Sequence, residues 1–153
     1  MRVLIVCTGN TCRSPLAAAL IRQGLLLTGH SGVEVESAGT GAWDGAPASE
    51  GAYLVALESG LDLSAHRARL LTKELVDQAD LVLTMSRPHL GRVRELGGGS
   101  RAHLLGEYAG LAGAQAEVGD PFGGAVEEYR ATLRELEVMM PAILARIVGS
   151  VGS

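Results

Sequence analysis

Apolar residues fall along this chain in two rhythms. Short continuous runs, closed by polar or glycine-rich turns, occur at 3–6, 33–36, 80–85 ("DLVLTM") and 102–105, and each predicts a short, mostly buried strand. Between them lie longer stretches with the spacing of helices, at 15–27, 48–58, 70–78, 86–96 and 125–148. Ser14 is placed to cap the first of these, Pro15 suits its first position, and Leu16, Leu20 and Gln23 mark its successive turns. The second stops at Gly60, the third is introduced by Thr72, and the fourth is built around Pro88. In the last, Val126, Tyr129, Leu133, Leu136, Met140, Ile143 and Ile147 describe one apolar face. Pro141 interrupts that pattern and predicts a kink or break, since a proline inside a helix costs about 3 kcal/mol. Two long loops are expected, the glycine-rich "SAGTGAWDGAP" at 37–47 and the stretch 106–124.

Alternation of strand and helix predicts an α/β fold, a parallel sheet with helices on both faces. No repeat, low-complexity block or linker divides the chain, so 1–153 reads as one domain. A hydrophobic content of 47% argues against disorder. With one Trp, one Phe and three Tyr, the core must come from Leu, Val, Ile and Ala, and aromatics in loops become informative. A net charge of −4 gives no reason to expect a nucleic-acid or anionic-membrane partner. The first apolar run is too short for a secretory signal, and no stretch approaches the ~20 apolar residues of a membrane helix. A cytoplasmic, reducing compartment is the expectation, where the two cysteines would be free thiols.

Both cysteines lie in "VCTGNTCRSP", residues 6–15, between the first strand and the first helix. Ligands of such sheets bind outside the carboxyl ends of the strands, where Cys7 stands. A loop entering a helix N-terminus offers unpaired amides and the positive end of a dipole. Gly9 can take positive φ and Asn10 tolerates it, so the amides of Thr8 to Ser14 can curl into an anion nest. Arg13 adds a planar fork matched to two phosphate oxygens. A cysteine in that field ionises readily, and Ser14 can donate to its thiolate. The competing readings fit less well. A zinc site lacks further cysteines, and His30, His66, His89 and His103 are scattered. A redox pair prefers Cys-x-x-Cys and has no use for the arginine.

The same string resembles the active-site signature of the low molecular weight protein tyrosine phosphatase family. The resemblance extends over nearly the whole chain, through "SAGT" at 37–40, "ADLVLTMS" at 79–86 and "DPFGG" at 120–124. It implies four parallel strands flanked by helices, Cys7 as nucleophile and Arg13 as phosphate ligand. Asp120, which locally reads as an ordinary turn residue before a proline, becomes the general acid. Trp43 and Phe122, which could simply pack locally, become walls of the substrate site, and Ser37 a brace for Asn10. Cys12 either protects Cys7 through a reversible disulfide or merely fills the loop. His66 and Arg69 read as surface residues of a connector. The reaction implied is two-step phosphate removal from a phosphorylated protein, without metal or cofactor.

Three substrate classes occur in the family. Arsenate reduction needs a further redox cysteine, absent here. Tyrosine-directed members usually carry an aliphatic residue where Thr11 stands, and often two tyrosines after Asp-Pro. Thr11 and the Phe122–Gly123 pair resemble the bacterial arginine phosphatases instead, which favours phosphoarginine. Trp43 resembles the tyrosine-directed members and points the other way. A non-catalytic phosphate-binding module is the alternative outside enzymes, and would be expected to lack the thiol, the arginine or the acid.

Overall fold

The computed structural model describes residues 1–151. Its centre is a sheet of β1 (Arg2–Cys7), β2 (Glu34–Gly39), β3 (Leu81–Thr84) and β4 (Ala102–Leu104). The strands run in the order β2-β1-β3-β4, and every pairing is parallel. The chain leaves β1 toward one edge and later returns to its other side, so the carboxyl end of β1 is the topological switch point. Cys7 is the last residue of that strand, paired with Gly39.

The helices are α1 (Arg13–Leu27), α2 (Glu50–Glu58), α3 (Lys73–Gln78), α4 (Arg87–Glu95), α5 (Leu105–Tyr108) and α6 (Val126–Val151). Because strand side chains alternate, β1 serves two cores. Val3, Ile5 and Cys7 face the larger one, packed with Leu16, Ile21, Leu136, Ile143 and their neighbours from α1, α2 and α6. Leu4 and Val6 face the smaller one, with Val76 of α3 and Leu90 and Val93 of α4. The predicted layers are therefore those that form.

Several details differ from the sequence pattern. The first helix begins at Arg13, two residues early, with Cys12 as its N-cap, and Ser14 is not a cap: its hydroxyl turns to Cys7 and Asn10. Gln23 is exposed, and the buried stripe runs instead through Leu16, Leu20, Ile21 and Leu25. The second strand extends to Gly39, taking in the first residues of the glycine-rich loop. The expected loop 106–124 contains the turn of α5 and a 3-10 turn at Gly113–Ala116. Helix α6 runs unbroken through Pro141. That proline lies on the exposed face, as does Glu137, whose carbonyl loses its partner. Water can satisfy that carbonyl, while the buried face, which also includes Thr132 and Met139, holds the helix together.

Candidate active site

Residues 7–14 form a hollow whose shape follows from where their carbonyls go. The carbonyl of Cys7 accepts from the Thr40 amide at 2.9 Å and that of Thr8 from the Gly41 amide at 3.0 Å. The Asn10 carbonyl accepts from His66 Nε2 at 2.6 Å, and the Thr11 carbonyl from the Ser49 amide at 2.9 Å. In a trans peptide the N–H points opposite to the C=O. Tying these carbonyls outward therefore turns the amides of Thr8, Gly9, Thr11 and Cys12 inward, toward an anion. The left-handed residue that allows the curl is Asn10, with φ 56°, and not Gly9. Gly39 matters through proximity: a Cβ there would stand 2.3 Å from the Thr8 carbonyl and 2.9 Å from the Asn10 amide nitrogen.

A directed chain of hydrogen bonds reaches the Cys7 sulfur from behind. The Arg69 amide donates to Asn10 Oδ1 at 3.0 Å, which fixes the orientation of that buried carboxamide. Asn10 Nδ2 then donates to Ser14 Oγ at 2.8 Å. With that lone pair occupied, the Ser14 hydroxyl hydrogen is free to point at Cys7 Sγ, 2.9 Å away. The expected brace of Asn10 by Ser37 does not form. Ser37 is buried at the end of β2, and its carbonyl accepts from Arg69 Nε at 3.0 Å. Asn10 is held by Ser14, Arg69 and His66, so the last two are supports of the nest and not bystanders on a connector. Burial holds the His66 imidazole below its usual pKa.

Arg13 is buried, its Nη1 donating to the Val118 carbonyl at 3.1 Å. Its Nη2 lies 3.5 Å from both Thr8 Oγ1 and Asp120 Oδ2. Asp120 thus reaches the nest, and its other oxygen accepts from the Phe122 amide at 3.0 Å, closing the turn that Pro121 begins. Cys7, Thr8, Gly9, Thr11, Cys12, Arg13, Asp120 and Phe122 line one cavity of about 150 Å³. Asn10 and Ser14 lie buried beneath it. Trp43 is not part of the wall and is 84% exposed. Its loop is bound sideways to the 68–70 segment, through Gly45 N to Ala68 O and Leu70 N to Asp44 Oδ1, both 2.8 Å.

Cys7 and Cys12 are both free and buried. Cys12 Sγ is 3.0 Å from Ser49 Oγ, at the start of α2. His89, which the sequence did not single out, is buried with Nε2 2.7 Å from Thr8 Oγ1 and Nδ1 2.9 Å from Ser86 Oγ. Among the described residues, no group of three His, Cys, Asp or Glu side chains could hold a metal ion. Nor is any of their helices long and apolar enough to cross a membrane.

The family model for low molecular weight phosphotyrosine protein phosphatase matches residues 2–151. The chain belongs to that family. Among its relatives, the protein-arginine-phosphatase of Geobacillus stearothermophilus is 40% identical over 146 residues, covering 95% of each chain. The low molecular weight protein-tyrosine-phosphatase Wzb of Escherichia coli K12 is 36% identical over 135 residues, covering 88% of this chain and 87% of Wzb. The crystal structure of the low molecular weight protein tyrosine phosphatase from T. tengcongensis superposes with a TM-score of 0.88 at 38% identity. That match covers 95% of this chain and 99% of the other. Family membership therefore agrees with the resemblance seen in the sequence, and this phosphatase fold carries relatives named for two different substrates.

Proposed function

We propose that this protein removes phosphate from phosphorylated proteins through a cysteinyl-phosphate intermediate, with phosphoarginine as the favoured substrate. The observation that carries the reading is the convergence of the Ser14-supported Cys7 sulfur, the inward amides and the Arg13–Asp120 pair on one cavity. In the first step the Cys7 thiolate attacks phosphorus, forming an S–P bond as the P–N bond breaks. Asp120, carrying a proton, gives it to the departing guanidine nitrogen. Arg13 and the amides of the nest balance the charge on the phosphoryl oxygens. In the second step the Asp120 carboxylate takes a proton from water, whose oxygen attacks phosphorus. The S–P bond then breaks, phosphate is released, and Ser14 receives the returning thiolate by hydrogen bond.

Thr11 supports the choice of phosphoarginine. Thr11 lines the cavity, where a hydroxyl can interact with a planar, polar guanidinium and a branched alkyl group would obstruct it. Asp120 can also pair with that cation. The relationship to an arginine phosphatase across 95% of both chains adds support. A tyrosine phosphatase remains the second reading, favoured by the likeness to Wzb. Cys12, which shares the cavity wall with Cys7, serves in this proposal as the protective redox partner.

Initial rates on matched peptides carrying phosphoarginine or phosphotyrosine, for the parent and for Thr11→Ile, test the assignment. The expected result is a preference for phosphoarginine that the substitution shifts toward phosphotyrosine. A parent that prefers phosphotyrosine, with Thr11→Ile changing little, would make the second reading the correct one.

A further inference from the structure

The rear of the nest has a second support that the catalytic steps do not use. His89, on α4, is 4% exposed and does not line the cavity itself, but it meets the hydroxyl of Thr8, a residue of the wall. The contact crosses the sheet's carboxyl edge: Thr8 follows β1, while Ser86 and His89 follow β3. We propose that His89 is a positioning residue for the phosphoryl cradle, orienting the Thr8 hydroxyl so that its lone pair faces the Arg13 guanidinium. The inference rests on the reading of this nest as a phosphoryl site and adds a residue to its machinery.

Hydrogen-bond polarity supplies the argument. A guanidinium only donates, so Thr8 Oγ1, 3.5 Å from Arg13 Nη2, must meet it with a lone pair. That leaves the Thr8 hydrogen for the other near neighbour, His89 Nε2, at 2.7 Å, which accepts it in the proposed arrangement. The opposite ring nitrogen therefore carries the proton, which Nδ1 donates to Ser86 Oγ at 2.9 Å. A neutral ring with its proton on Nδ1 satisfies all three contacts and anchors the Thr8 hydrogen. A protonated ring would donate from Nε2 to the second lone pair of the Thr8 oxygen and take away the acceptor that holds the Thr8 hydrogen. The charged groups around the ring favour the neutral form: burial and the Arg13 cation push its pKa down to about 4, against the opposite pull of Asp120 and Glu117. Glu117 is itself paired with Arg87 of α4 at 2.7 Å. Arg13 Nη2 is thus flanked by Thr8 and Asp120, and the fork is held ready for two phosphate oxygens before any arrives.

The test is a double-mutant cycle between His89→Leu and Thr8→Val on the whole protein. It uses p-nitrophenyl phosphate, so the arginine-or-tyrosine question does not enter. Each single substitution is expected to lower kcat about fivefold, the worth of one ordinary hydrogen bond, with little change in KM. The pair together is expected to do no more than either alone. Vanadate, which mimics the five-coordinate phosphorus, should lose affinity in the same proportion, and His89→Gln, which keeps an acceptor near Nε2, should recover most of the rate. Losses that multiply in the double variant, or a His89→Leu protein that melts earlier but keeps parental kcat and vanadate affinity, would reduce His89 to a packing residue. If His89→Leu does not fold, Thr8→Val with Thr8→Ser as its rescue decides the point, since parental kcat in Thr8→Val overturns the proposal. A parent that releases phosphate neither from an ester nor from a phosphoarginine peptide would instead overturn the phosphatase reading itself.

Discussion

The two loops that meet over the cavity are built in opposite ways. Residues 7–14 are tied from behind at nearly every carbonyl, and Asn10, Arg13 and Ser14 are buried. The loop carrying Asp120 is held by its base, through Val118 to Arg13, and by its own turn, while the Phe122 ring is 72% exposed. Charge on a phosphoryl group must be met by dipoles that need no rearrangement, which demands a rigid cradle. A general acid must approach substrates that differ in shape, which a loop anchored at one end permits. In the proposed mechanism the buried loop stabilises charge and carries Thr11, the selectivity residue, while the exposed loop supplies the leaving-group chemistry.

Removing the acid should break the comparison most sharply. Asp120→Asn is expected to slow the first chemical step by about 10²–10⁴ on a peptide substrate whose leaving group needs a proton. On an aryl phosphate with a good leaving group the loss should be far smaller, while thermal stability stays near that of the parent. Rapid-quench measurement of the burst would check this, and an equal loss on both substrates would take the proton-donor role away from Asp120.

The buried side should show itself through acid. His89 has a folded-state value near 4 against an ordinary 6.5, so below pH 6.5 the unfolded chain takes up a proton that the folded chain refuses. The associated stability is present above pH 6.5 and declines as the pH falls toward 4, by roughly 3 kcal/mol at the low end. His66, also pushed down by burial, acts in the same direction. Denaturant melts between pH 7 and 4.5 should show this slope in the parent and a flatter one in His89→Gln. Parallel slopes would mean that the ring is charged in the folded protein.

The smallest change sharpens the contrast. Gly39→Ala places a methyl group against the Thr8 carbonyl and should cost about 1–3 kcal/mol of stability while lowering kcat/KM. Phe122→Ala, on the open side, should leave the melting temperature alone and raise KM a few-fold. Calorimetry beside steady-state kinetics separates the two, and a Gly39→Ala protein with parental activity would show that the nest yields more easily than its bonding suggests.

Much of this was legible in the sequence, because the features concerned are local. "VCTGNTCRSP" carries the proposed nucleophile, the guanidinium fork and the turn residues within ten positions, and hydrophobic rhythm marks each strand. The misplacements have physical causes. Ser14 has the composition of a cap, but a sulfur and a carboxamide compete for its hydroxyl more effectively than the helix does. Trp43 sits in the right loop for a wall, yet side contacts to residues 68–70 carry it out to solvent. Pro141 looks like a breaker until the exposed face on which it falls is known.

The sequence by itself determined the layered fold, the thiol at the end of the first strand and the arginine above it. These depend on spacings of a few residues, where the geometry of strand, turn and helix leaves little choice. Tertiary structure alone decided that Asp120 comes within 3.5 Å of Arg13, and that His66, Arg69 and His89 support the nest. Those partners lie between 56 and 107 residues from the groups they meet. At such separations contact is set by how helices pack on the sheet and where loops close, and a string of residues carries no distance between them.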